Sequence, residues 1–189
     1  MENHPILEFW FGKISDAGEI APELVKRWWT KSADFDTLCR DKFEADIKAA
    51  VLGEIEPGES ARGGLAFILL CDQISRNIYR DTAGAFATDE IALAATMKII
   101  ESGTIDDLHP TEKAFVYMPL MHSEDREIQK ISVERFTALK EEGYDTVSFA
   151  VRHKDIVDRF GRYPHRNDIL SRESSAEEKE FLEQPGSSF

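Results

Sequence analysis

Cysteine is scarce in this chain: 189 residues hold only Cys39 and Cys71. They share no CxxC or Cys/His spacing, which excludes a disulfide framework and a zinc finger and leaves two small core residues suited to a reducing compartment. Long apolar runs are missing too. The longest, Leu65 to Cys71, has seven residues, against the roughly 20 that a bilayer requires. The start, Met-Glu-Asn-His-Pro-Ile-Leu-Glu, has no basic segment and its apolar residues are interrupted by acid, so no secretory signal is expected and the expected location is cytoplasmic. Positive charge is in short supply, with 23 Lys and Arg against 36 Asp and Glu and a formal net charge of −13. Such a surface repels phosphate backbones and anionic headgroups, so nucleic-acid and membrane partners are not expected. Nor is there any series of alternating strands with hairpin turns, any repeat at a fixed period, or the Trp, Leu-Gly and Tyr pattern of tetratricopeptide repeats.

What remains is helical. Hydrophobic residues at 42% and charged residues at 31% describe an ordinary globular chain. We expect one all-helical domain over residues 1–183 and a flexible tail over 184–189, with about eight to ten helices arranged as an irregular superhelix of helical hairpins or as a bundle. Ile6, Leu7, Phe9, Trp10 and Phe11 predict a short first helix ending at Gly12. Glu23 to Trp29 predicts another short turn, with Trp28 and Trp29 buried. Asp34 or Asp36 is placed to cap a third helix carrying Leu38, Phe43, Ile47 and Val51 inward, until Gly53 stops it. The run after Ser60 could read as a buried strand. Its pattern continues through Ile74 and Ile78, so its length favours a helix apolar almost all round, which belongs in the middle of the fold. An Ala-rich helix is expected over 85–100. Pro110 suits the first turn of the next one, which Pro119 should kink or end, with a helix resuming near His122 and running to about Glu142. Thr146 to Phe160 follows, stopped by Gly161. Ser175-Ala176-Glu177-Glu178 is a capping box that launches a last short helix.

Three stretches concentrate polar chemistry. In the first, Asp72, Arg76 and Arg80 fall at i, i+4 and i+8 and would share one face of a continuous helix, with Gln73 and Asn77 in the neighbouring row. In the second, His122 precedes Glu124 and Asp125, and His122, Asp125 and Gln129 could line one face; a carboxylate beside an imidazole orients the ring and raises its basicity. The third, Arg159 to Arg172, is a basic island. Residues 152–172 hold six Lys and Arg against three Asp. Gly161 and Pro164 put Arg162, His165, Arg166 and Asn167 on a turn where side chains can converge, and Asn167 or Asp168 could start a short helix. His153, alone on its helix, reads as a satisfied buried side chain.

These stretches, with Ile-Leu-Glu-Phe-Trp-Phe-Gly, Trp-Trp-Thr-Lys, Leu-Leu-Cys-Asp-Gln-Ile-Ser-Arg-Asn-Ile-Tyr-Arg, Ala-Phe-Ala-Thr-Asp, Met-Pro-Leu-Met-His-Ser-Glu-Asp and Phe-Gly-Arg-Tyr-Pro-His-Arg-Asn, occur in an order that resembles the bacterial family called domain of unknown function 924. The resemblance covers nearly the whole chain. It implies an all-helical, tetratricopeptide-like fold, and it brings no established activity and no catalytic or binding residues. The departures are Cys71, Ile74 and Ser75, where the family favours Leu, Phe and Pro, and Ser171, where it favours Gly.

Three functional readings follow. The first is a pocket for a small phosphate- or carboxylate-bearing anion, built from Asp72, Gln73, Arg76, Asn77, Glu124, Asp125, His153, Arg162, Arg166 and Asn167. His122 or His165 would move a proton in it; planar guanidinium groups suit such ligands. Its structural rival is a salt-bridge knot joining Arg162 and Arg166 to Asp72, Glu124 or Asp125. The second is a hydrolase, acid/base or metal-dependent through His122, Glu124, Asp125 and His153, although no tight metal signature is present and no metal ligands are assigned. The third is a protein-binding helical scaffold. Neither a cofactor nor an oligomeric state can be read from the residues.

Overall fold

The structure, a computed structural model, describes residues 4–13 and 20–188. Phe189, at the end of the expected tail, lies outside them. Among the described residues there are nine helices and no strand. They are α1 (Pro5–Phe11), α2 (Pro22–Trp28), α3 (Ala33–Val51), α4 (61–78), α5 (Asp89–Ser102), α6 (Pro110–His122), α7 (Arg126–Glu141), α8 (Val147–Phe160) and α9 (Ala176–Leu182). Short 3-10 turns occupy Ala83–Phe86, Thr104–Asp107 and Pro164–Arg166.

Consecutive helices from α3 to α8 pack against each other in sequence, as short connections between antiparallel neighbours require. The two central elements are α4 and α6. Leu65, Ala66, Ile68, Leu69 and Cys71 of α4 have no exposed surface, and every residue from Glu112 to Met121 of α6 is buried. Gly64 lets α4 approach α5 closely, because a Cβ there would come within 2.6 Å of Ile99 Cδ1. Both cysteines are free and buried, and burial pushes each thiol up to about 12, so neither is a ready nucleophile.

Several local expectations are corrected. Ser32, not Asp34 or Asp36, caps α3, its side chain accepting from Phe35 N. The buried stripe of α3 is Phe35, Cys39, Phe43, Ile47 and Ala50, which leaves Leu38 and Val51 exposed. Trp29 is 61% exposed, whereas Trp28 packs beside Trp10 and donates its indole N–H to Trp10 O at 3.0 Å. The Ala-rich segment becomes helical only at Asp89. Pro119 does not end α6, which runs on to His122. The missing proline donor costs one backbone bond in a helix packed on all sides. The actual break is at Ser123, which is extended, and at Asp125, whose carboxylate accepts from Glu127 N and Ile128 N. At the C-terminal end, Ser175 and Glu178 form the expected capping box. Arg152 donates to Gly186 O and Ser187 Oγ to Leu182 O.

Candidate functional site

A single turn of α4 sets the site. Residues Leu69–Ile74 form a π-helical turn inside an otherwise α-helical element, a feature that accommodates an extra residue and recurs at functional sites. The Cys71 carbonyl there accepts from two hydroxyls, Ser75 Oγ and Thr88 Oγ1. The wide turn and the helix end at Ile78 together undo the expected Asp72–Arg76–Arg80 face. Arg80 turns away to clasp Asp36 at 2.7 and 2.8 Å.

Asp72 has no exposed surface. Its Oδ1 lies 2.6 Å from His122 Nδ1 and 3.4 Å from Arg76 Nη1, and its Oδ2 accepts from Gln73 Nε2 at 2.6 Å. Burial alone would raise this carboxyl, but the Arg76 and His122 charges and the bonds from His122 and Gln73 outweigh it and hold Asp72 well below the usual carboxylate range. With an ionised carboxylate at Nδ1, that nitrogen carries a hydrogen in either charge state of the ring, and Nε2 is the atom free to exchange a proton. His122 ends α6 immediately before the chain breaks. Gln129 on α7 fixes that break, its Nε2 reaching Met121 O at 2.9 Å and Ser123 O at 2.7 Å.

Two arginines stand beside the dyad. Arg76 donates to Asp89 through two bonds, 2.8 and 3.1 Å, and also to Asp72 O at 2.8 Å and Ala85 O at 3.3 Å. Arg166 donates to Asp89 Oδ2 at 3.3 Å and to His122 O at 3.0 Å, and its guanidinium lies between the rings of Phe86 and Tyr163, 4.6 Å from each centroid. Burial and the Arg76 charge both pull the Arg166 pKa down, against Asp89 and Glu124.

Two further histidines flank this group. The His153 ring centroid is 6.3 Å from that of His122, and His153 Nδ1 donates to Phe149 O at 2.8 Å. Burial first, then the His122 charge, pushes His153 down to about 3. His165 lies 5.6 Å from Tyr163 between ring centroids and is pushed down to about 4 by burial and Arg166. Both are therefore neutral near pH 7.

Of the residues singled out in the sequence, Asp72, Gln73, Arg76, His122 and Arg166 come together, with His153 and His165 alongside. The others go elsewhere. Asn77 donates to Gln73 O and accepts from Arg80. Glu124 takes two bonds from Arg172, at 2.7 and 3.0 Å, and one from Tyr163 N at 2.8 Å. Asp125 is a helix cap on the element after His122, so the expected His122–Asp125–Gln129 face does not exist. Arg162 clasps Glu178 at 2.7 Å through both Nε and Nη2, and Asn167 donates to Ser174 Oγ at 3.0 Å. No short helix starts at Asn167; residues after Pro164–Arg166 continue as turn. The three stretches thus meet through Arg166, not through Arg162.

Residue-by-residue reading missed Asp89, Phe86, Tyr163 and Arg172. Phe86 and Asp89 do sit in Ala-Phe-Ala-Thr-Asp, and that motif was their one signal. Among the described residues no group of three or more His, Cys, Asp and Glu side chains is arranged to hold a metal ion. None of the described helices is long and apolar enough to cross a membrane.

The fold and site define a class: an all-helical protein whose π-turn places a buried Asp against a partly exposed His, beside a pair of arginines. The chain belongs to the family described as bacterial protein of unknown function (DUF924), whose profile matches residues 6–186. It is similar to a solved structure titled as a protein of unknown function from Agrobacterium tumefaciens, with 36% identity, 94% of each chain covered and a TM-score of 0.79. No curated protein matches the chain.

Proposed function

We propose that this protein binds a small anion at Arg76 and Arg166 and that the Asp72–His122 dyad acts on it as a general base. The observation that supports this most is the 2.6 Å contact between His122 Nδ1 and a carboxylate with no exposed surface. A buried Asp in that position fixes the ring and stabilises the imidazolium formed when Nε2 accepts a proton. Neighbouring hydroxyls are committed: Ser75 and Thr88 to the Cys71 carbonyl, Tyr163 to the Met121 carbonyl. The base therefore acts on water or on the ligand itself, which corresponds to hydrolysis or to proton abstraction beside an anionic group. The arginines would hold the anion and the charge that develops on it. A cytoplasmic location suits the two buried thiols and the acidic surface.

The test is thermal shift and calorimetry with inorganic phosphate and a panel of phosphomonoesters and carboxylates. Phosphate should raise the melting temperature of the wild type and not of Arg166→Lys. His122→Gln should keep phosphate binding and lose any turnover found with the panel. No response to any member of the panel sinks the reading.

A second reading, a protein-binding scaffold, is favoured by one observation. Two apolar grooves of about 610 and 430 Å³ adjoin at Val51 and Leu52, with neither Asp72 nor His122 in their lining, and Leu52 is 72% exposed. The metal-dependent reading has less support, because Glu124 is held by Arg172, Asp125 caps α7, and among the described residues no three such side chains are grouped for a metal.

A further inference from the structure

At this site the Asp89 carboxylate is shared by two guanidinium groups, with Asp72 adding a longer contact to Arg76 alone. Arg80, Arg162 and Arg172 each hold a carboxylate of their own, Asp36, Glu178 and Glu124. Arg76 and Arg166 share Asp89. Arg166 is only 7% exposed, and its Nε has no acceptor among the described residues. A buried cation with an unmet donor is costly unless something else completes its shell. The pair therefore has donor capacity that Asp89 leaves unfilled, Arg166 Nε being the clearest case.

The Asp89 side chain can leave the arginines without the backbone moving. The backbone of this segment is tied down by the Arg76 bond to Ala85 O and by the Thr88 bond to Cys71 O. Asp89 is the first residue of α5, so only two side-chain torsions need change for its carboxylate to leave the arginines. Swung away, it stays in the first helical turn, where an acidic side chain is favoured by the helix dipole.

We propose that Asp89 is an internal stand-in for the anionic group of the ligand and sets the specificity of the site. A ligand must displace a carboxylate to reach Arg76 and Arg166. A monocarboxylate offers nothing that Asp89 does not already give, whereas a phosphate brings more charge and a third acceptor oxygen. This deepens the anion-binding reading and rests on it: it selects a phosphate-bearing ligand over a carboxylate-bearing one.

Calorimetric titration of the full chain with inorganic phosphate and with acetate tests this in the wild type and in Asp89→Asn. The wild type should prefer phosphate. Asp89→Asn, which keeps the shape and removes the competing charge, should bind both anions more tightly, by about tenfold, and discriminate between them less. A folded Asp89→Asn that binds phosphate no more tightly overturns the proposal. Should that variant fail to fold, wild-type protein labelled with 13C at aspartate side chains decides. On phosphate binding, the Asp89 carboxylate resonance should move and that of Asp36 should stay; an unmoved Asp89 resonance overturns the proposal. No phosphate binding by either protein overturns the anion-binding reading beneath it.

Discussion

Arg162 and Arg166 leave the same turn, four residues apart, and end in opposite situations. Arg162 is paired with Glu178 through two 2.7 Å bonds and reaches Glu173 O at 2.9 Å, at the rim of the protein. Arg166 is buried, shares Asp89 with a second arginine and leans on two aromatic faces. The first has a carboxylate to itself and a carbonyl besides, and serves to anchor α9. The second has only a share of a carboxylate, and a fold that only required stability would have little reason to bury it there: a buried ion pair is often no better than well-packed apolar residues of similar volume. The unequal satisfaction of the two arginines, more than their charge, separates a structural knot from a candidate site.

The comparison breaks most easily by truncation. Arg166→Ala strips the Phe86–Tyr163 stack, leaves the Asp89 carboxylate with one guanidinium and opens a cavity, which should cost about 3 kcal/mol and remove phosphate binding. Arg162→Ala should cost less and leave phosphate binding as it was. Urea denaturation and calorimetry on the two variants check both halves. Equal losses of binding would mean that the knot and the site are one unit.

Acid separates the two regions a second way. His153 and His165 titrate near 6.5 when unfolded but only near about 3 and about 4 in the fold, chiefly through burial. Between those limits the unfolded chain binds more protons, so their contribution is complete above about pH 6.5 and falls as the pH falls. From pH 7 to pH 5 each should cost about 1 to 2 kcal/mol, and His153→Gln should flatten part of that slope. Glu178 in the knot is pushed down to about 2, the Arg162 bond being the largest cause, from 4.5. Its contribution is intact above about pH 4.5 and fades only below. Stability curves measured from pH 7 to pH 3 should therefore show the site weakening first. A curve flat down to pH 4.5 would contradict the buried neutral histidines.

How far the sequence reached follows from which interactions are local. Helical periodicity, the Ser175 capping box and Gly161, left-handed at φ 69, act within a turn or two of chain, and these elements were legible. So was the convergence of three polar stretches, whose charges had to be met somewhere. The choice of partner was not. Nothing local tells Arg162 to find Glu178 or Arg166 to find Asp89, 77 residues away. Pro119 misled because a proline rule written for exposed helices gives way when the helix is packed on every side. The π-turn was invisible as well: a single accommodated residue shifts which side chains share a face without changing the apolar pattern. Trp29 reads as core by composition, yet the chain turns at the end of α2 and leaves it outside.

The smallest effect sharpens the knot side of the comparison. Ser175 Oγ accepts from Glu178 N at 3.2 Å, while Glu178 Oε2 takes both Ser175 N and Arg162 Nη2. One carboxylate thus closes the cap of α9 and pins the turn that presents Arg166. Ser175→Ala removes only the hydroxyl acceptor and should cost about 0.5 to 1 kcal/mol. Because Glu178 still holds Arg162, the Arg166 side must not feel the change. Amide exchange of α9 should quicken, while the His122 ring resonances and the phosphate affinity stay at their wild-type values. A shift in His122 on so remote and small a deletion would show that the anchoring of α9 tunes the site, and the line drawn between the two arginines would have to move.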